Sequence, residues 1–295
     1  MAVETKTLRR EPGGLGTLVR AALPALPGIN RLPGVRKAPA ADFSGLAYSR
    51  DGVVAVRARV EAYGAVCGFP RKDVVPLTYP HLLAFPLHMA IMSDPAFPYP
   101  AVGMVHVENT ITARRAIGVG EVLDVSTTVG RPRPHARGAL LDFVTTVSAG
   151  GEHAWESTST YLRRGHPPEG EPTRGLVIDD APGGGIEWRL PANLGRTYAA
   201  VSGDSNPIHL YPWTAKALGF PRQIAHGMWT LARSVAAIEN RLSDAVTVEV
   251  AFKKPVLLPG TVAFASRSGD EGLTFALTSP RDGSPHLLGR TTSPG

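Results

Sequence analysis

Two residues that could move protons, Asp204 and His209, lie either side of Asn206 in the segment VSGDSNPIHL. Pro207 stiffens the turn that separates them. A turn of this kind can aim a carboxylate and an imidazole into one small cavity, where a single water touches both. Such a pair accepts and returns protons near neutral pH, an effect of about 10²–10⁴-fold for a well-placed acid or base. Asn206 can orient either partner or the water. Further along, His226-Gly227 precedes a helical pattern starting at Met228. The glycine N–H there is an unsatisfied donor at the positive end of a helix, and the missing Cβ admits a substrate oxygen. A donor aimed at a developing oxyanion is worth roughly 10²–10³-fold. The combination suits adding or removing a proton beside a thioester carbonyl, with water gained or lost at the β-carbon.

The same residues have plainer readings. The pattern D-x-N-P-x-H is also an Asx turn with a histidine nearby. Asp204, His209 and His226 could in principle hold a metal, but no HxxxH or HxxE spacing supports it, and no metal or other cofactor is expected. A Ser-His-Asp hydrolase is disfavoured because no G-x-S-x-G elbow occurs.

An internal comparison separates these readings. Tyr63-x-Ala65-Val66-x-Gly68 matches Tyr198-x-Ala200-Val201-x-Gly203, His81 matches His226, and Gly120 matches Gly260. The chain therefore reads as a duplicated unit. Its second copy carries about ten more residues between Gly203 and His226, and those hold Asp204, Asn206 and His209. Where the second copy has Asp204 and Gly227, the first has Phe69 and Leu82. A purely structural turn would have little reason to occur in only one of two similar halves. By the same logic His226, mirrored by His81, is a structural or supporting residue rather than a catalytic one.

The positioning elements follow from periodicity. Pro80 opens a helical pattern with Leu83, Leu87, Ala90 and Ile91 on one stripe, interrupted by Pro86. Met228, Leu231, Ala232, Val235, Ile238 and Leu242 mark a second helix. Alternation predicts strands over 105–115, 122–129, 140–148 and 154–162, then 246–252, 261–267, 273–278 and 286–292. Residues 1–42 form an N-terminal extension with a short amphipathic pattern (Leu15, Leu18, Val19, Ala22, Leu23). Residues 43–165 form the first copy and 186–295 the second, joined by a Pro- and Gly-rich linker at 166–185.

Composition excludes several classes. At 295 residues, 43% hydrophobic and 19% charged, the chain is an ordinary globular one. The net charge of +6 suits anionic partners, including phosphate-bearing cosubstrates. The basic residues are scattered and no nucleic-acid-binding motif is present, so nucleic acid is not the expected partner. Arg131 and Arg133 in RPRPHAR, with Lys253 and Lys254, are the candidate phosphate contacts. The single Cys67, among apolar neighbours, reads as a buried thiol and points to a reducing, cytoplasmic setting. No apolar run reaches the roughly 18 residues of a membrane span, and no secretory leader is recognised.

Tyr198–His209 (YAAVSGDSNPIH) and Ile224–Met228 (IAHGM) resemble the MaoC-type dehydratases, the (R)-specific enoyl-CoA hydratase family, including its double-hotdog actinobacterial 3-hydroxyacyl-thioester dehydratases. The resemblance implies an α+β double hotdog, each repeat a long helix wrapped by an antiparallel sheet. It implies an acyl-CoA or acyl carrier protein thioester as substrate. By position, Asp204 and His209 would activate water, Asn206 would support them and the Gly227 N–H would bind the thioester oxygen, without metal or redox cofactor. The half lacking catalytic residues would leave room for the acyl chain. Two alternatives stay open: a hotdog acyl thioesterase, which usually places its carboxylate differently, and a non-catalytic acyl-thioester-binding subunit. A homodimer is compatible with this reading.

Overall fold

The computed structural model describes residues 5–8 and 43–293; the amphipathic pattern around Leu15–Leu23 lies outside them. The first half runs β1 (Lys6–Thr7), β2 (Ala47–Val54), α1 (Arg57–Cys67), α2 (Pro80–Ser93), β3 (Met104–Ala113), β4 (Val122–Val129), β5 (Arg133–His135), β6 (Gly138–Ala149) and β7 (Glu152–Arg164). The second runs β8 (Ile186–Leu190), α3 (Leu194–Ser202), α4 (Pro207–Leu210), α5 (Pro212–Ala217), α6 (Gly227–Ile238), β9 (Val246–Phe252), β10 (Gly260–Gly269), β11 (Gly272–Thr278) and β12 (Pro285–Thr292). Residues 165–185 between them have no regular structure.

All the strands join one twelve-stranded sheet in the order β1-β2-β4-β6-β7-β3-β9-β12-β11-β10-β8, with β5 paired to β6. From the β3–β9 seam outwards the two halves repeat one order. The strand after the long helix comes first and the strand before the first helix closes the order, with β1 added outside β2 in the first half. Only β1–β2 is parallel; the seam is antiparallel, pairing Glu108 with Ala251 through Ala113 with Val246. This is a double hotdog of α+β class.

The helices end and begin as their residues dictate. α1 and α3 both stop at a left-handed glycine, Gly68 (φ 84°) and Gly203 (φ 77°). Both belong to the repeat anchors seen in the sequence. α2 keeps Pro86 in its interior and continues to Ser93, whereas α6 ends at Ile238, so Leu242 falls beyond it. Helices and strands share one apolar cluster that spans both halves and includes Tyr63, Tyr198, Leu231 and Val250. Cys67 is buried in it, and burial pushes its thiol up to about 12, so it is an inert core residue.

Candidate active site

The insertion that distinguishes the second copy folds as two short helices after Gly203. Its first turn is a pair of consecutive Asx turns. The Asn206 N–H donates to Asp204 Oδ1 (3.1 Å), and the Ile208 N–H donates to Asn206 Oδ1 (3.3 Å). Asn206 thus caps α4 with its side chain and holds Asp204 through its backbone. The plain Asx-turn reading and the functional one describe the same atoms.

His209 is buried on α4, and its Nδ1–H donates to the Ile224 carbonyl at 2.8 Å. That bond leaves the lone pair on Nε2. The Ile224 segment is itself fixed by backbone hydrogen bonds from Ile224 to Ile208 and from Ala225 to Val256. α3 supports His209 from the other side at Gly195, where a Cβ would sit 1.9 Å from the His209 carbonyl oxygen. No sequence signal marked Gly195. We expect Gly195→Ala to push His209 out of place and lower kcat at least tenfold while the far-UV circular dichroism spectrum persists. Overpacking of this kind costs about 1–3 kcal/mol, read as a lower melting temperature. Unchanged kcat and melting temperature would show that the contact is not needed.

His226 precedes α6 and stacks on His209, ring centroids 3.7 Å apart and planes at 26°. Its Nε2–H donates to the Asp204 carbonyl at 2.9 Å and lies 3.9 Å from Asp204 Oδ2. His226 therefore ties the α6 N-terminus to the Asp204 turn, in keeping with the supporting part its mirror His81 suggested. The Gly227 N–H, first in α6, has no acceptor among the described residues.

Electrostatics set the protonation states. Burial holds the Asp204 carboxyl above its ordinary value, against the opposing pull of His209 and the Asn206 N–H. Burial, then His226, lowers His209 to about 3; burial lowers His226 to about 4. Both imidazoles are neutral at physiological pH. A raised carboxyl beside a lowered imidazole narrows the gap between their proton affinities, so a proton can pass between them through a bound water at small cost.

The fold gathers what the spacing left apart: ligand-type atoms of Asp204, His209 and His226 all lie within 4.8 Å of one another. Hydrogen bonds to the Ile224 and Asp204 carbonyls occupy His209 Nδ1 and His226 Nε2, which leaves His209 Nε2 and His226 Nδ1 as the ring atoms with lone pairs.

The phosphate candidates divide. Lys253 and Lys254 directly follow Phe252, whose ring lies 3.3 Å from where a Gly227 Cβ would be, and both are exposed. Arg133, by contrast, forks onto Asp142 at 2.8 and 3.0 Å, and that ion pair occupies its guanidinium. Arg131 is exposed just before β5. Among the described residues no helix is long and apolar enough to cross a membrane.

Residues 186–276 match the family described as MaoC like domain. The chain is 39% identical over 286 residues to 3-hydroxyacyl-thioester dehydratase X of Mycobacterium tuberculosis, covering 94% of this chain and 97% of that protein. A crystal structure of that M. tuberculosis protein, HtdX, superimposes with a TM-score of 0.75 at 38% identity over 84% of this chain and all of the other. A MaoC-like dehydratase from Phytophthora capsici shares the fold at a TM-score of 0.68 and 19% identity, over 84% and 95% of the two chains. With the double hotdog, the Asp204–His209 turn and near full-length similarity in hand, this chain belongs to the MaoC-like dehydratase family.

Proposed function

We propose that the protein is a reversible hydro-lyase interconverting (R)-3-hydroxyacyl and trans-2-enoyl thioesters of coenzyme A or an acyl carrier protein. The observation that carries this reading is the free Nε2 lone pair of His209 beside a protonatable Asp204, at the open N-terminus of α6. The similarity to a protein named 3-hydroxyacyl-thioester dehydratase X supports it.

In the hydration direction a water sits between Asp204 Oδ2 and His209 Nε2. One of its protons passes to the Asp204–His209 pair as its oxygen bonds C3, and the π electrons move onto the thioester oxygen, held by the Gly227 N–H. The same pair then gives a proton to C2 as the carbonyl reforms, and both residues return to their starting states. Dehydration runs the same steps backwards. Asn206 supports by shaping the turn, and Lys253 and Lys254 take the phosphates of the carrier, with Arg131 as a further candidate. We assign the non-catalytic repeat to 43–165, the linker to 166–185 and the catalytic repeat to 186–295. The lone buried thiol suits a cytoplasmic setting.

The test follows the absorbance of the conjugated enoyl thioester with crotonyl-CoA and longer enoyl-CoA and carrier-bound substrates. Saturable loss of absorbance, giving the (R)-3-hydroxy product, is expected. No hydration at any chain length on either carrier overturns the reading, and release of free thiol indicates a thioesterase instead.

A further inference from the structure

The two halves share one strand order, yet the faces their sheets turn to the helices differ in chemistry. In the catalytic half that face is apolar: Val248, Val250, Phe275, Leu277 and Leu287 are buried there. In the other half the buried side chains include Asn109, Thr127, Thr145, Ser157 and Ser159. The fold can evidently be closed with aliphatic residues here, so the polar seam is not required for folding. Burying polar groups is costly unless each is paired.

Most of the seam is paired. Asn109 Nδ2 donates to Ser159 Oγ (2.9 Å) and Ser157 Oγ (3.2 Å). His88, from α2, contacts Thr145 Oγ1 (3.1 Å) and the Tyr161 hydroxyl (3.3 Å). Two buried atoms have no partner: His106 Nε2 and Asn109 Oδ1. A bulge in β3 between His106 and Glu108 turns His106 to the side of Tyr161, so the two residues flank the same patch. An unmet acceptor in such a place costs about 1–3 kcal/mol. Both atoms can accept, so together they call for a donor.

The patch adjoins the reaction centre. The His106 ring packs on Tyr161 (4.7 Å between centroids) and on Phe252 (5.0 Å), and Phe252 lines Gly227. Asp204's charge reaches Tyr161, helping burial to raise its phenol. The roof is α2, where Pro86 has no N–H to give and so loosens the helix above the patch. His81, His88 and His106 are all held neutral by burial, so nothing here offers a carboxylate or phosphate a countercharge.

We propose that His106 and Asn109, backed by His88 and Tyr161, form an acyl-chain subsite that accepts a hydroxyl, so that the enzyme favours acyl thioesters hydroxylated beyond C4 over plain alkyl ones. The proposal rests on the acyl-thioester reading above and deepens it. The hydroxyl donates to one of the two unmet acceptors, while a methylene chain leaves both unmet.

Calorimetric Kd values for octanoyl-CoA and its 5-, 6-, 7- and 8-hydroxy derivatives test it, because saturated chains bind without turnover. At least one hydroxylated chain is expected to bind about tenfold tighter than octanoyl-CoA. His106→Phe with Asn109→Leu should abolish that ratio, whereas His106→Gln, which keeps an acceptor, should retain it. The ratio does not depend on the folded fraction, and if the double variant does not fold, His106→Phe and Asn109→Ala serve singly, one of which must abolish the ratio. Octanoyl-CoA binding as tightly as all four derivatives, or a preference that survives His106→Phe with Asn109→Leu, overturns the subsite. Hydration of crotonyl-CoA without any hydroxyl preference sinks the subsite alone. A hydroxyl preference in binding without any hydration sinks the hydro-lyase reading and leaves the subsite standing; no binding of any acyl-CoA sinks both.

Discussion

Asp204→Asn and His209→Ala are each expected to lower kcat/KM for crotonyl-CoA hydration by about 3–5 kcal/mol in transition-state stabilisation, or roughly 10²–10⁴-fold. Asp204→Asn keeps an oxygen that can accept the Asn206 N–H, so the turn survives while the group that exchanges the proton is lost. His209→Ala removes both the Nε2 lone pair and the ring on which His226 stacks. The double variant should be little worse than either single one, since both residues handle one water and act as a unit. Steady-state kinetics with melting curves alongside decide the matter. Near wild-type rates in either folded variant would remove that residue from the mechanism. Fully additive losses would mean that the two act on separate steps.

Acid should destabilise the protein well above the range where carboxylates titrate. His81 and His226 are lowered to about 4, His106 and His209 to about 3, and His88 well below its ordinary value, in each case chiefly by burial. In the unfolded chain these side chains titrate near about 6.5. Between that value and about 4 the unfolded state binds more protons, so stability is complete above pH 6.5 and is lost as pH falls. At pH 5 each histidine accounts for up to about 2 kcal/mol. Even half of the combined effect of the five rivals the 5–15 kcal/mol that a domain has in total. Asp204 acts in the opposite sense, because its raised carboxyl takes up a proton more readily when folded, but it is one group against five. A melting temperature at pH 5.0 at least about 10 °C below that at pH 7.5 is expected from differential scanning calorimetry. An equal melting temperature at the two values would show that the histidines are not held neutral in the fold.

Much of the frame was legible because half-buried strands must alternate. The patterns at 122–129 and 246–252 coincide with β4 and β9, and the stripe from Met228 to Ile238 is the buried face of α6. β2 and β8 escaped notice for a physical reason. The first reads AYSRDGVV and the second IEWRL, and their exposed positions give no alternation to read. The candidate turn was visible because its polar residues are local, with Asp204, Asn206 and His209 inside six residues. What lay out of reach is tertiary. Arg133 meets Asp142 across a hairpin, Gly195 meets His209 between helices, and His226 stacks on a ring seventeen residues earlier in the chain. Asn109, Ser157 and Ser159 would pass on hydropathy for solvent-facing strand residues, and only the pairing register turns them inward.

The β3–β9 seam has a consequence for how such an enzyme behaves on dilution. Two separate single-repeat chains meeting along that edge would form a pair whose population falls with concentration, and identical chains would be bound by symmetry to carry the same residues on both sides. Here the partner is covalently tethered by residues 165–185, which hold the two edges at an effective concentration of millimolar order. Dimer dissociation is thereby removed as a route to inactivation, and the two repeats are free to differ, as Phe69 in one and Asp204 in the other do.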